Sequence, residues 1–465
     1  MLKKIYNSSF NFFHNSKESG GIILNLFFTL IDKGLVFISI PIFTKLLNPS
    51  EYGILQTFIS ASLMLSIIVG LSFHTSIRLG YYDFKNNYSS FLDSVYKSLF
   101  VINIFFVFVI LLLTIIFKVD FLKLSSILVL NSVLLSIINC KSNEYLVGKN
   151  YLYKNLLSFI PNFLAIIFSV IFISFLDDER FYGRILPILF FNLIFGSIIF
   201  LKSINFNTKI NFNYIKYAFN TSIPIIFHGL SITVLFVSDR IFLISMTSSF
   251  ETGLYSLAYS LSLIPFAFAS SVESVWIPWF NENMLKSNFK SILDKFHFFM
   301  AAISVLCILM ILFGKEIISI VSSDDYLESH VYLSLLVFTT LVMIMNSFLV
   351  NLLYYYKLTK KIGFSTVVSA FLNLFLNYFF ILNFGAIGAV YSSCFCFIIL
   401  TLLNYRNSIK INNELFRFSD YITYFVIVLM IYLLSLNFNI TILFKLVFLI
   451  LTSFVLFYYS KFKHS

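Results

Sequence analysis

The chain has 465 residues, of which 59% are hydrophobic and only 11% are charged, and its mean hydropathy is +0.92. Soluble proteins carry about 25% charged residues, so this composition excludes a soluble protein of several domains. The net charge of +11 does not indicate nucleic-acid binding, because membrane proteins collect basic residues on their cytoplasmic loops. We therefore expect an all-α polytopic membrane protein that binds no nucleic acid.

Apolar segments of about 20 residues, the length of a membrane-spanning helix, follow one another along almost the whole chain. They predict about 14 transmembrane helices, and the polar segment 204–215 divides the first six from the rest. The predicted spans are 20–47, 53–78, 90–117, 122–147, 151–176, 183–203, 216–247, 253–281, 292–313, 330–356, 363–383, 385–404, 420–436 and 440–460.

The basic residues are distributed unevenly between the two sides of these spans. One side, which includes both termini, holds 23 of the 32 Lys and Arg. The other side holds seven, and Lys33 and Arg240 lie inside spans. Since positive residues favour the cytoplasmic side, we expect both termini in the cytoplasm and a multi-pass protein of the bacterial inner membrane.

The two halves of the chain resemble each other at an offset of 200 residues. Glu51 matches Glu251 and Gly53 matches Gly253, and each copy follows a long apolar helix with a charged pair. This repeat predicts two six-helix lobes, a plan common among secondary transporters. The predicted regions are an N-terminal lobe 1–203, a cytoplasmic linker 204–215, a C-terminal lobe 216–404, and two additional helices in 405–465.

Two charged pairs lie inside the predicted spans, Asp32–Lys33 and Asp239–Arg240. A charge in mid-bilayer costs from about 2.5 kcal/mol upward, so such residues are candidates for function. Adjacent residues on a helix point about 100° apart and need separate partners. The alternative for the first pair is a structural ion pair between helices, and for Arg240 it is a side chain that reaches the membrane interface.

Arg78 ends the second predicted span, where a cytoplasmic anchor is at least as good an explanation as a ligand contact. Glu273 lies within the eighth span and could bind a proton or cation or pair with a basic residue. The chain has no G-x-x-x-x-G-K-[ST] phosphate loop, so we expect no ATP hydrolysis by that route. Its four cysteines show no metal-ligand spacing, so we expect no metal centre.

Four segments in order resemble a known family of transporters. PIFTKLLNPSEYGILQTF (41–58) is similar to the end of that family's first helix, and LSFHTSIRLGYYD (71–83) to the end of its second. Residues 222–261 resemble its seventh and eighth helices, and NLFLNYFFILNFGAIGAVYSS (373–393) resembles an asparagine- and glycine-rich signature. The family is the Wzx-type polysaccharide or O-antigen repeat-unit flippases of the multidrug/oligosaccharidyl-lipid/polysaccharide (MOP) exporter superfamily. Asn383 stands where the family often has Pro.

This resemblance implies a MATE-like fold with a central cavity and two extra C-terminal helices. It also implies that the chain flips undecaprenyl-pyrophosphate-linked oligosaccharide by alternating access for O-antigen, capsule or exopolysaccharide assembly. Arg240, Lys33 and Arg78 would bind the pyrophosphate, because Arg and Lys are the residues suited to phosphate. Asp239, Asp32 and Glu273 would tune these cations or bind a coupling proton or sodium ion. The partners implied are membrane lipid and other membrane proteins of polysaccharide assembly, and no enzyme activity is implied.

Two other interpretations remain open at this point. A multidrug–cation antiporter would have the same fold, but it would favour acidic over basic intramembrane residues. A membrane polysaccharide polymerase would also be polytopic and aromatic-rich, but it would carry a large outer loop with catalytic residues. The longest predicted outer loop, about 314–329, is short and acidic, which argues against the enzyme.

Overall fold

A computed structural model describes residues 16–116, 122–205, 207–413, 415–437 and 441–462. Within these ranges the chain forms seventeen α-helices and two short 3-10 helices, Lys85–Asn87 and Asp324–Ser329, and no β-strand. The α-helices are α1 (Ser16–Leu46), α2 (Pro49–Val69), α3 (Phe73–Asp83), α4 (Tyr88–Ile116), α5 (Leu122–Val147), α6 (Tyr151–Ser174), α7 (Tyr182–Ser203), α8 (Phe212–Met246), α9 (Ser249–Ser262), α10 (Ile264–Leu285), α11 (Phe289–Leu312), α12 (Gly314–Val321), α13 (His330–Tyr355), α14 (Thr359–Phe384), α15 (Ala386–Ile409), α16 (Phe418–Asn437) and α17 (Ile442–Phe462).

In this described part of the chain, thirteen helical segments are long and apolar enough to cross a membrane. They coincide with the second to fourteenth predicted spans, and α1, a helix of 31 residues, lies at the first. A helix suits this environment because it satisfies every interior backbone group within its own segment. The predicted all-helical, multi-pass architecture is confirmed.

Two predicted spans are broken rather than continuous. The span expected at 53–78 ends as α2 at Val69, and α3 starts after Leu71 and Ser72, which have left-handed φ values of 45° and 50°. The span expected at 253–281 is interrupted at Leu263, and Pro265 lies in the first turn of α10, where its missing N–H costs no hydrogen bond. Neither break was predicted from the sequence.

The chain divides into two compact units by its internal contacts. Unit 1 contains the described part of Met1–Ser39 together with Phe58–Thr233, and unit 2 contains Ile40–Thr57 together with Val234–Ser465. The divisions fall inside α1, α2 and α8, whereas the predicted lobes divide at the polar segment 204–215. In unit 1 this polar segment is bound to α4, because Asp93 accepts hydrogen bonds from the backbone N of Asn205, at 2.7 Å, and from Thr208 Oγ1.

The two glycines of the sequence repeat meet in unit 2. A Cβ on Gly53 would lie 2.1 Å from the backbone O of Ser249, and a Cβ on Gly253 would lie 1.9 Å from the backbone O of Pro49. Such distances are far shorter than any real contact, so the starts of α2 and α9 can cross this closely only with glycine on both. The matched glycines are thus explained by a close approach of backbones.

The same two helices begin with related caps. Asn48 Oδ1 accepts from the backbone N of Glu51 at 2.9 Å, and Glu51 Oε2 accepts from the backbone N of Asn48 at 3.3 Å, which is a capping box. In the second copy Ser248 Oγ accepts from the backbone N of Glu251 at 3.1 Å. The Glu251 carboxylate instead accepts from the hydroxyl of Tyr332 on α13. The repeated residues therefore cap the starts of α2 and α9 and also allow these two helices to pack closely.

The two C-terminal helices contact α11 and α12 through polar side chains. His297 on α11 is fully buried, its Nδ1 lies 3.0 Å from Tyr424 Oη, and its Nε2 lies 3.7 Å from Asp420 Oδ1. On α17, Lys445 Nζ donates to Glu316 Oε1 of α12 at 2.6 Å. These contacts attach α16 and α17 to unit 2.

Candidate functional site

Unit 2 holds a carboxylate that is closed off from solvent. Asp239, on α8, is 1% exposed. Its Oδ1 accepts from Asn377 Nδ2 of α14 at 2.7 Å. Its Oδ2 accepts from Ser393 Oγ of α15 at 2.6 Å and from the hydroxyl of Tyr255 on α9. Three helices besides its own thus supply the neutral donors that a buried carboxylate needs.

A second layer of amides and hydroxyls supports this carboxylate. Asn377 Nδ2 also lies 3.2 Å from Asn373 Oδ1, which in turn accepts from Ser238 Oγ at 2.9 Å. Asn373 Nδ2 lies 3.4 Å from Ser392 Oγ. In contrast, Asn377 Oδ1 is buried with no hydrogen-bond partner among the described residues. The cluster therefore presents one side-chain oxygen that a proton donor or a small cation could use.

Arg240 lies next to this carboxylate in sequence and is also inside unit 2. It is 7% exposed, and its guanidinium carbon lies 4.6 Å from the centre of the Tyr259 ring, which is cation–π geometry. Its Nη1 lies 3.4 Å from the carbonyl O of Phe236, and Thr57 Oγ1 lies 3.5 Å from the carbonyl O of Arg240 itself. Aromatic and polar groups of unit 2 therefore enclose this side chain.

Unit 1 contains the other charged pair in a more open setting. Asp32 on α1 is half-buried, and its Oδ2 accepts from Ser158 Oγ of α6 at 2.7 Å. The Asp32 Oδ1 atom is buried and has no hydrogen-bond partner within the described ranges. Lys154 is near enough to interact electrostatically with Asp32, and its Nζ lies 3.3 Å from Asn155 Oδ1. Lys33 is half-buried on the same helix.

The remaining two predicted residues lie apart from these pairs within their own units. Arg78 is exposed on α3 of unit 1, beyond the break in the second predicted span. Glu273 on α10 is half-buried in unit 2, and its Oε1 lies 3.4 Å from Asn351 Nδ2 of α13. The roles predicted for all six residues stay predictions.

The hydrogen-bond partners of Asp239 and Asp32 were not predicted from the sequence. Asn373 and Asn377 were noted as part of a signature, but no contact with Asp239 was predicted. A signal was present, because two asparagines four residues apart lie on one helix face in an otherwise apolar segment. Ser158 and Ser393 gave no such signal, since single serines are common in apolar helices.

Two sequence comparisons match the chain to known proteins. The model of the family described as "Polysaccharide biosynthesis protein" matches residues 20–284. A protein from the Lsg locus of Haemophilus influenzae is 24% identical over an alignment of 214 residues, with coverage of 44% of this chain and 53% of that protein. The chain thus spans about half the length of this curated relative.

Two solved structures resemble the chain over most of its length. The lipid II flippase MurJ in an inward closed conformation has a TM-score of 0.70 at 17% identity and covers 94% of this chain and 99% of its own. An inward-facing multidrug transporter of the MATE family, in the MOP superfamily, has a TM-score of 0.61 at 12% identity and covers 82% and 96%. At these identities the likeness shows the fold, and it confirms the predicted MATE-like architecture.

Proposed function

Because the chain belongs to the family of polysaccharide biosynthesis proteins, we propose that it moves an undecaprenyl-pyrophosphate-linked oligosaccharide from the cytoplasmic to the outer leaflet of the bacterial inner membrane. The observation that carries this proposal is the likeness in fold, over 94% of this chain, to a lipid II flippase. Alternating access would expose the substrate site to one leaflet at a time, and the product would serve O-antigen, capsule or exopolysaccharide assembly.

The pyrophosphate would be recognised by cationic side chains. Arg78 is exposed and Lys33 is half-buried, so both can approach a phosphate without prior rearrangement of unit 1. Arg240 is enclosed and lies over Tyr259, so it would meet the substrate only when that contact opens. Arg suits the planar bidentate contact, and Lys acts as a point charge. This division of roles is part of the proposal.

Coupling to a proton or a sodium ion would use Asp239. Sodium is a hard cation that prefers oxygen ligands, and the cluster offers carboxylate oxygens together with the buried Asn377 Oδ1. A proton on Asp239 would serve as well, since the surrounding amides and hydroxyls can reorient to accept it. Asp32 and Glu273 are the second and third candidates for ion coupling, and the carboxylate of each accepts fewer hydrogen bonds than that of Asp239.

Genetic complementation tests the transport proposal. We would express the chain in a bacterium that lacks its own O-antigen flippase and examine surface polysaccharide on a gel. Restored ladders are expected, and the empty vector is the control. If ladders stay absent although the protein is in the membrane, resistance to cationic drugs would be measured next, and a gain of resistance would favour the antiporter.

The Arg240 role has its own test in the same strain. Arg240→Ala should abolish the ladders because it removes the charge, whereas Arg240→Lys should keep part of the activity. Membrane levels of both variants are measured by immunoblot. Full activity of Arg240→Ala would exclude Arg240 as an essential contact.

Ion coupling is tested in vesicles with purified protein. Asp239→Asn keeps the shape but removes the charge, so the dependence of transport on sodium or on the pH gradient should change. Glu273→Gln is the matched substitution on α10. An unchanged ion dependence in both variants would remove these two carboxylates from the ion path.

A further inference from the structure

A polar cavity of about 550 Å³ lies at one end of unit 1, where α4 begins and α7 ends. Described residues of the polar segment 204–215 complete its wall. The lining consists mainly of hydroxyl and amide side chains and contains two lysines, Lys202 and Lys209. The distribution of basic residues along the chain predicts that this end faces the cytoplasm. Because the cavity lies at the ends of two membrane-spanning helices, we expect it at the depth of the lipid headgroups.

Hydrogen bonds hold the polar segment against α4. Near its start, the backbone N of Asn205 donates to Asp93 Oδ1 at 2.7 Å. Near its end, the backbone N of Asn211 donates to Ser94 Oγ at 3.2 Å. Both acceptors lie in the second turn of α4, so the wall of the cavity is fixed at two points along the segment.

The cavity carries a positive charge. Asp93 is the one acid among the described residues that line it, and Lys97 Nζ lies 2.7 Å from Asp93 Oδ2, so this carboxylate is already paired. Lys202 and Lys209 are exposed, and neither has an ion-pair partner in the part of the chain that the structure describes. Two such lysines beside hydroxyl groups, among them that of Ser89, suit a phosphate group.

An apolar groove follows this cavity along the same two helices. The groove lies between α4, α5 and α7 and has a volume of about 550 Å³. Its lining includes Leu201, which adjoins Lys202 in α7, and Phe100 and Ile104 of α4. At about 100° per residue, Asp93 of the cavity and these two α4 residues lie within about 40° of one another around the helix. A molecule that occupies both spaces would therefore have an anionic head and an apolar tail.

The apolar groove alone would select no particular occupant, because lipid tails are as apolar as the side chains that line it. The charge of the cavity makes the selection. The cytoplasmic leaflet contains anionic lipids, and basic pockets between transmembrane helices on that side bind anionic headgroups. We propose that the cavity binds the phosphate of an anionic phospholipid, with Lys202 and Lys209 as its charge partners and the acyl chains in the groove.

Titration of the purified full-length protein with phosphatidylglycerol in a neutral detergent tests the proposal. Bound lipid is counted by native mass spectrometry. Lys202→Gln/Lys209→Gln should raise the dissociation constant about 30-fold, because about fivefold per lysine corresponds to about 1 kcal/mol. Lys202→Arg/Lys209→Arg should keep the wild-type affinity, since it keeps both charges. Lys85→Gln/Lys216→Gln is the matched control, because both lysines are exposed in unit 1 but line neither space.

Two further measurements distinguish a lipid from a soluble phosphate. Glycerol phosphate has the same anionic group without acyl chains, so it should not displace phosphatidylglycerol at equal concentration. Ser197 is exposed on α7 in the groove. Ser197→Trp should fill part of the groove and weaken the binding of dioleoyl-phosphatidylglycerol more than that of the dihexanoyl lipid. Phosphatidylcholine, whose headgroup has no net charge, should bind more weakly than phosphatidylglycerol to the wild type.

Three results would contradict the lipid site. Equal affinities for phosphatidylglycerol and phosphatidylcholine would exclude recognition by charge. An unchanged dissociation constant in Lys202→Gln/Lys209→Gln would exclude the two lysines, and effective competition by glycerol phosphate would show a site for soluble phosphates instead. If the double variant lacks the wild-type unfolding temperature, the single variants Lys202→Gln and Lys209→Gln decide, each with an expected loss of about fivefold.

Discussion

Asp32 in unit 1 and Asp239 in unit 2 each precede a basic residue in a long apolar helix, yet their surroundings differ. Asp239 is 1% exposed and accepts from Asn377, Ser393 and Tyr255, on three other helices. Asp32 is half-buried, and its Oδ2 accepts from Ser158 while its Oδ1 has no partner within the described ranges. The Asp239 carboxylate is thus held by hydrogen bonds from three neighbouring helices. The Asp32 carboxylate has one oxygen that accepts no hydrogen bond within the described ranges.

The same residue type can thus contribute to stability and to transport to different degrees, depending on how many hydrogen bonds its carboxylate accepts. A carboxylate with three fixed donors is costly to remove, because each donor loses its partner. A carboxylate with one donor can bind or release a cation or proton with little rearrangement of its neighbours. We therefore expect substitutions of Asp239 to lower stability as well as coupling, and substitutions of Asp32 to act mainly on transport.

The largest expected effect comes from removing each carboxylate. Asp239→Leu leaves three buried donors unpaired and should lower the free energy of unfolding by about 3–5 kcal/mol. Asp32→Leu removes the partner of one hydroxyl and should cost only about 1 kcal/mol. Both are measured by denaturant unfolding of purified protein in the same detergent. Equal losses would show that the two sites do not differ in the way that their contacts indicate.

A second comparison uses glycines in the two units. Gly53→Ala and Gly253→Ala in unit 2 place a methyl group against backbone and should cost about 1–3 kcal/mol, the usual range for overpacking. Gly34→Ala and Gly229→Ala in unit 1 are the matched controls, because a Cβ at either position meets nothing within 4 Å. There Ala should stabilise the helix by about 0.5–1 kcal/mol.

The unfolding temperatures of these four variants check the prediction. Opposite signs in the two units are expected. A stabilising effect of Gly253→Ala would mean that α2 and α9 do not cross as closely as their backbones indicate.

Much of the fold could be predicted from the sequence, because span length and hydropathy are local properties. The repeat also identified Gly53 and Gly253 as equivalent positions from the sequence alone. The break between α2 and α3 could not be predicted, since the backbone turn at Leu71 and Ser72 carries no proline or glycine at its left-handed positions. The partners of Asp239 lie up to 154 residues away, so hydropathy alone could not identify them.

The sequence was more informative about which residues matter than about how they are arranged. A charge inside an apolar span identified Asp239 and Arg240 at once. The sequence did not reveal that Arg240 lies over the Tyr259 ring and is enclosed. An arginine in a cation–π contact and an exposed arginine look the same in the sequence. Burial of long side chains is decided by tertiary packing.

Each unit also contains an ion pair, and removing either pair should change stability less than the substitutions above. In unit 1, Lys97 Nζ lies 2.7 Å from Asp93 Oδ2, and both side chains are nearly buried, at 12% and 10% exposure. In unit 2, Lys445 Nζ lies 2.6 Å from Glu316 Oε1, but the Glu316 side chain is 35% exposed. Solvent therefore screens the second pair more strongly, so Lys445→Met should cost only about 0.2–1 kcal/mol, less than Lys97→Met.

The pH dependence of the Glu316 pair gives the smallest effect and a defined sign. Burial opposes ionisation of this carboxyl, but the hydrogen bond and charge of Lys445, together with a backbone hydrogen bond and the charge of Lys315, outweigh it and hold the pKa of Glu316 below its ordinary value of 4.5. A group whose pKa is lowered by folding stabilises the folded state above its ordinary value and loses that contribution as the pH falls through the lowered value. The unfolding temperatures of wild type and Lys445→Met, measured from pH 7 downward, should therefore converge in acid below about pH 4.5. A gap that stays constant with pH would show that Lys445 stabilises the attachment of α17 through its apolar stem rather than through its charge.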